Sequence, residues 1–244
     1  VRLTALQLPA RFGAPEAQLD FATALLEGGP RTDLVLFGET ALTGYVSATG
    51  GFDLAPFAEP LDGPTAAALA HLARRFDCLV VGPLVEREGA RCFNALVGLT
   101  PGGERVLHYR KRHPWFPETW ASPGEAALPL FTWRGARFTA AICFDVHFLA
   151  GESAATLREA DVLLFASAWV DGEGDARPGL LGALAGEFDV AVLNANWGRG
   201  APAVPGQGGS LFVSRDGTLG PRLADAAGRL DVTLPDAGGR AARP

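Results

Sequence analysis

Phe138-Thr139-Ala140-Ala141-Ile142-Cys143-Phe144-Asp145 is an apolar, strand-like run that stops at a polar segment. The placement predicts a thiol held at the C-terminal end of a β-strand, the end at which open α/β sheets bind their ligands. Two other segments finish in the same way. Leu34-Val35-Leu36-Phe37-Gly38 runs into Glu39, and Val106-Leu107-His108-Tyr109-Arg110 runs into Lys111. A carboxylate, an ammonium and a thiol therefore each follow a predicted strand.

Working outward, Val1–Leu8 alternates like a first strand and leads into an amphipathic helix, Pro15–Glu27, with Ala17, Phe21, Ala24 and Leu25 on one face. Gly63-Pro64-Thr65 opens a second helix that runs to about Arg75, since proline is tolerated in a first turn. Cys78–Glu86 and Arg91–Leu99 read as strands around the turn at Glu88-Gly89, and Glu104–Lys111 follows as a third. Beyond a loop over His113–Gly124, two strands flank Arg134-Gly135 and the second ends at Cys143. Glu152–Glu159 and Leu180–Phe188 read as helices, Asp161–Ala166 and Val190–Asn194 as strands, and Gly198–Gly209 as a Gly/Pro loop. A hairpin around Asp216-Gly217 and a strand at Arg229–Leu234 close the pattern. Strands and helices alternate with hairpins between them, which predicts an α/β fold of mixed sheets covered by helices. No internal repeat and no linker is visible, so residues 1–244 read as one domain, with 238–244 as a loose tail.

Composition narrows the function classes. The net charge of −6 disfavours a general nucleic-acid binder, which depends on neutralising phosphates. The three cysteines, Cys78, Cys92 and Cys143, are odd in number and widely spaced, with no metal-ligand spacing, so a reducing cytoplasmic setting is expected. The longest apolar run, Val162–Val170, falls far short of the roughly 20 residues of a membrane span. The N-terminal stretch lacks the apolar core of a signal peptide. A protein without membrane association is expected.

Each reactive group alone has an ordinary structural reading. A free cysteine is commonly buried, and Cys78 and Cys92 lie within strands. Glu39 would favour a following helix N-terminus, and Lys111 would suit a solvated strand end. Gly206-x-Gly208-Gly209 neither follows a clear strand nor precedes a helix, so it is not read as a phosphate loop.

The combination carries more. Phe37-Gly38-Glu39-Thr40-Ala41-Leu42-Thr43-Gly44-Tyr45, Tyr109-Arg110-Lys111-Arg112-His113 and Cys143-Phe144-Asp145 resemble, in order, the three signature segments of the nitrilase (carbon–nitrogen hydrolase) superfamily. The resemblance runs from about Leu3 to Leu234 and takes in Asn194-Ala195-Asn196 and Gly208-Gly209-Ser210. It implies a four-layer α-β-β-α sandwich with two mixed β-sheets, and a catalytic set of Glu39, Lys111 and Cys143. Family members commonly use a second glutamate between the lysine and the cysteine. Glu118 matches that position best, and Glu125 less well. The chain departs from the family at Gly38, where a proline or similar residue is usual, and at His147–Glu152, where an arginine and a Pro-Glu step often follow the cysteine.

In the chemistry so implied, Glu39 takes the proton of Cys143 and later activates water. Lys111 and the Phe144 N–H stabilise the developing charge, and Glu118 orients Lys111 or the leaving amine. Phe144, Trp169, His147 and Trp115 are the candidate substrate-binding residues. No metal or organic cofactor is called for. A small-molecule amide is the expected substrate, ahead of a nitrile. An N-acyltransferase and a non-catalytic binding protein on the same fold are the competing readings. A homodimer built by packing sandwich on sandwich, as relatives often form, is a further expectation.

Overall fold

The computed structural model describes residues 1–171 and 174–234; the tail expected at 238–244 lies outside them. The first half runs β1 (Arg2–Gln7), β2 (Pro9–Arg11), α1 (Pro15–Glu27), β3 (Leu34–Phe37), α2 (Pro64–Phe76), β4 (Leu79–Glu88), β5 (Arg91–Leu99) and β6 (Arg105–Arg110). The second runs β7 (Phe131–Trp133), β8 (Ala136–Ile142), α3 (Leu149–Glu152), α4 (Ala154–Glu159), β9 (Val162–Ala166), α5 (Arg177–Phe188) and β10 (Ala191–Ala195). It is completed by β11 (Gly198–Ala201), β12 (Leu211–Val213), β13 (Leu219–Arg222) and β14 (Gly228–Thr233).

Two six-stranded mixed sheets result, ordered β14-β1-β3-β4-β5-β6 and β13-β12-β10-β9-β8-β7. In the first, β1, β3 and β4 run parallel, and the other pairings are antiparallel. In the second, β8, β9 and β10 run parallel inside antiparallel flanks. Both sheets thus carry the same order of strand directions, although no repeat shows in the sequence. The α-β-β-α sandwich is the one expected.

Side-chain alternation along the strands builds the layers. On β3, Leu34 and Leu36 join the core shared by the two sheets, whereas Val35 and Phe37 pack outward with Leu69 and Leu72 of α2. On the far side, Leu181, Leu184 and Phe188 of α5 cover the second sheet. Strands buried on both faces read as unbroken apolar runs, as Val162-Leu163-Leu164-Phe165-Ala166 does. Prolines sit in the first turns of α1, α2 and α5, where the missing N–H costs nothing. Among the described residues no helix is long and apolar enough to cross a membrane.

Three local readings are corrected. The buried face of α1 is Gln18, Ala22 and Leu26, not the face through Ala17 and Ala24, because the Gln18 amide donates inward to the carbonyls of Pro9 and Ala41, each at 2.8 Å. The Glu152–Glu159 helix begins earlier and breaks at Ser153 into α3 and α4. Within the Gly198–Gly209 stretch, β11 pairs with β2 as a short parallel ribbon. That ribbon was hidden because the approach requires glycine: a Cβ on Gly200 would stand 2.2 Å from the Ala10 carbonyl oxygen.

Candidate active site

Glu39, Lys111 and Cys143 all follow strand ends, at β3, β6 and β8. The two sheets face each other so that the end of β3 meets the segments after β9 and β10. Gly38 makes that contact possible, since a Cβ there would lie 3.2 Å from the Ser167 carbonyl oxygen and 3.3 Å from the Asn196 backbone. The chain turns sharply at both loaded ends: Thr40 has φ 46° and Cys143 φ 40°. Non-glycine residues adopt this left-handed region at a cost of about 1 kcal/mol or more, so the surrounding contacts must hold it.

Lys111 is fully buried and bridges two carboxylates. Its Nζ donates to Glu39 Oε1 at 2.7 Å and to Glu118 Oε1 at 2.6 Å. Three groups fix Glu39: Lys111, Asn94 Nδ2 at 2.8 Å on Oε1, and the Ala168 N–H at 2.8 Å on Oε2. Tyr45 Oη donates to Glu118 Oε1 at 2.6 Å, while Glu118 Oε2 has no hydrogen-bond partner among the described residues. Charge drives the protonation pattern. Burial pulls against the Lys111 ammonium, but Glu39 and Glu118 hold its pKa above the ordinary value, so it stays protonated. Burial, and then the charge of Glu39, push Glu118 up to about 7, against the pull of Lys111 and Tyr45.

The Cys143 thiol is raised well above its ordinary range by burial and by Glu39, while Lys111 and a hydrogen bond from the Ala168 N–H favour the thiolate. A resting thiol beside an ordered carboxylate suits proton transfer in step with attack, rather than a standing thiolate. Asp145 accepts the Ile142 N–H at 3.2 Å and so closes the turn that presents Cys143.

Residues 2–219 match the carbon–nitrogen hydrolase family. The chain belongs to it. This hydrolase is 34% identical to an (R)-stereoselective amidase of Pseudomonas sp over 203 residues, which cover 82% of this chain and 71% of that one. It is also similar in structure to a Glu→Gln, Cys→Ala double mutant of the amidase from Nesterenkonia sp. AN1 in complex with acrylamide. That match has a TM-score of 0.84 and 29% identity and covers 98% of this chain and 92% of the other. A Glu→Gln mutant of the same amidase, showing Michael addition of acrylamide at its active-site cysteine, matches with a TM-score of 0.81 and 27% identity over 96% and 93% of the two chains. These likenesses put the hydrolase on the amidase-like branch of the nitrilase superfamily.

Around the polar cluster the hydrolase carries two aromatic groups. Tyr45 stacks on Trp115 and meets Phe52 and Trp197 edge-on. On the Cys143 side, His147 lies between Phe144 and Trp169, with ring centroids 5.0 and 6.2 Å away. Asn196 Oδ1 fixes Trp169 by accepting its backbone N–H at 2.9 Å. The four candidate substrate-binding residues thus divide between the groups, Trp115 in one and Phe144, His147 and Trp169 in the other. Glu125, the weaker alternative to Glu118, is exposed and paired with Arg91. His113 pairs with Glu152, also away from the cluster.

Three groups in the cluster escaped the sequence reading. Asn94 left a signal, a lone amide in the otherwise apolar run Phe93-Asn94-Ala95-Leu96-Val97. Tyr45 lay within a quoted motif without an assigned task. Ala168 contributes only its backbone N–H, which no side-chain pattern can announce.

Proposed function

We propose that this hydrolase cleaves the C–N bond of a small amide through a thioester on Cys143. The observation that carries the reading is the buried Lys111 ammonium held between Glu39 and Glu118 beside the cysteine turn. The amidase relatives support it. Cys143 Sγ attacks the amide carbonyl and its proton passes to Glu39. Lys111 and the Phe144 N–H stabilise the oxyanion of the tetrahedral intermediate. When that intermediate collapses, Glu39 returns the proton to the departing nitrogen, and ammonia or an amine leaves. Water then attacks the thioester and Glu39 takes its proton. As the C–S bond breaks, Glu39 passes that proton to the departing sulfur, which releases the carboxylic acid and restores both the thiol and the carboxylate.

The unpartnered Oε2 of Glu118 is the acceptor for an N–H of the amide, which orients the leaving group. Its ionised form is therefore the working form, which Lys111 and Tyr45 favour against burial and the charge of Glu39.

Incubation with a panel of primary amides, read by acid and ammonia release and by intact mass, tests this. The expected result is turnover of some amides by the wild type and none by Cys143→Ala, with the acyl mass appearing on Cys143 in slow variants. Amide turnover retained in a folded Cys143→Ala protein would overturn it.

A further inference from the structure

Lys111 and Cys143 immediately follow strands of different sheets, β6 and β8, and the side chain of Asp145 joins the two strand ends. Asp145, 1% exposed, accepts the Tyr109 hydroxyl at 2.8 Å and the Ile142 N–H at 3.2 Å through Oδ2, and the His113 N–H at 2.9 Å through Oδ1. Tyr109 and His113 bracket Lys111 along the chain, and Ile142 immediately precedes Cys143. Closing the cysteine turn needs only the Ile142 bond. The other two reach across to the first sheet and grip both sides of the lysine.

We infer that Asp145 is a positioning residue for the reaction: it sets Lys111 against Cys143, so that the ammonium meets the oxyanion where it forms. The inference rests on the roles proposed above for Lys111 and Cys143. A carboxylate suits the task because it presents only acceptors, and all three groups it meets here are donors. Burial raises its pKa, and the three hydrogen bonds, with the charge of Lys111, act in the opposite direction to favour the ionised form. Asparagine has nearly the same shape but carries an NH2 in place of one oxygen. Whichever way its amide turns, at least one of the three donors faces another donor.

The test uses Asp145→Asn and Tyr109→Phe, each compared with the wild type by thermal melting, by kcat and KM on an amide the wild type turns over, and by the pH dependence of Cys143 alkylation with iodoacetamide. A misplacement of about 1 Å can cost about a hundredfold in rate. Asp145→Asn is therefore expected to lose kcat on the order of a hundredfold with KM little changed, and to alkylate Cys143 more slowly at a given pH as Lys111 withdraws. Tyr109→Phe removes one hydroxyl and keeps its ring in the core, so it stays folded even if Asp145→Asn does not. It is expected to move kcat and the alkylation profile in the same direction, by less. Wild-type kcat in either folded variant, or an unchanged alkylation profile in Tyr109→Phe, would overturn the inference. Such a result alongside an inactive Cys143→Ala would leave the proposed reaction standing, whereas turnover by Cys143→Ala would remove the reaction itself.

Discussion

Tyr45 donates its hydroxyl proton to the same Glu118 oxygen that accepts Lys111, and the other oxygen of that carboxylate has no hydrogen-bond partner among the described residues. The phenol therefore favours the ionised glutamate in a place where burial and Glu39 favour the neutral one. With the charged form as the working form in the reaction proposed above, activity should be lost as pH falls through the pKa of Glu118, about 7. The acidic limb of kcat/KM should inflect near that value. In Tyr45→Phe one donor to the carboxylate is gone, so the inflection should move to higher pH, with a loss of roughly tenfold at neutrality, the scale of one hydrogen bond to a charged group. A pH–rate profile of the two proteins checks both points; a downward shift would contradict the argument.

Asn94 supplies one of three donors to Glu39. Asn94→Ala should lower kcat by about ten- to a hundredfold, in line with 1.5–3 kcal/mol for a hydrogen bond to a charged group. Asn94→Asp should be worse at neutral pH, since it replaces a donor to Glu39 with a third carboxylate facing Glu39 and Glu118. Equal activity in the alanine and aspartate variants would show that the amide does no more than fill space.

Among the cysteines, only the loss of Cys143 should abolish turnover. Burial, followed by the Asp77 and Asp33 carboxylates, pushes the Cys78 thiol up to about 12, so it remains a thiol under any assay condition. Cys78→Ala and Cys92→Ala should keep most of the wild-type rate. Steady-state assays on the three variants decide it.

Glu39→Gln separates the two halves of the reaction. With no base for water, turnover should nearly cease, and any acyl-enzyme that forms should persist. Rapid-quench mass spectrometry would show an adduct decaying far more slowly than wild-type turnover. Decay at the wild-type rate would move the deacylating role to Glu118.

Away from the site, Glu86 offers a test of stability. Burial opposes its charge, but His108 and Arg110 hold its pKa down to about 2, below the ordinary glutamate value of about 4.3. A depressed carboxylate stabilises the fold above its unfolded pKa and loses that contribution as pH falls through the folded one. Wild-type stability should therefore fall between about pH 4.5 and pH 2. Glu86→Gln should be less stable at neutrality and show a flatter dependence across that window, as read by urea midpoints. Parallel curves for the two proteins would contradict this.

The sequence disclosed what runs along the chain and hid what crosses between sheets. Glu39, Lys111 and Cys143 were legible because each follows a predicted strand and the three segments together resemble a known family, and Glu118 only as the position that this resemblance implies. Which glutamate meets the lysine is a matter of chain path: the turn Trp115–Glu118 folds inward, while Glu125 swings out to Arg91. The donors that hold the cluster come from β5, from the loop after Glu39 and from the segment after β9, and nothing local marks their convergence. The face of α1 was misjudged for a similar reason, since a polar Gln18 turned inward to serve two distant carbonyls.

The pairing of β1 with β14 has a consequence for how the protein is made. Arg2 lies opposite Thr233, so the second line of hydrogen bonds on β1 waits until nearly the whole described chain has been synthesised. Until then β1 is the outermost strand of its sheet, an open edge able to template pairing with other chains. Every residue of the polar cluster has left the ribosome long before that edge is covered. The nascent polypeptide therefore passes through a stage in which this cluster can assemble while the sheet's border is still exposed to neighbours, and it is in this interval that aggregation competes with folding.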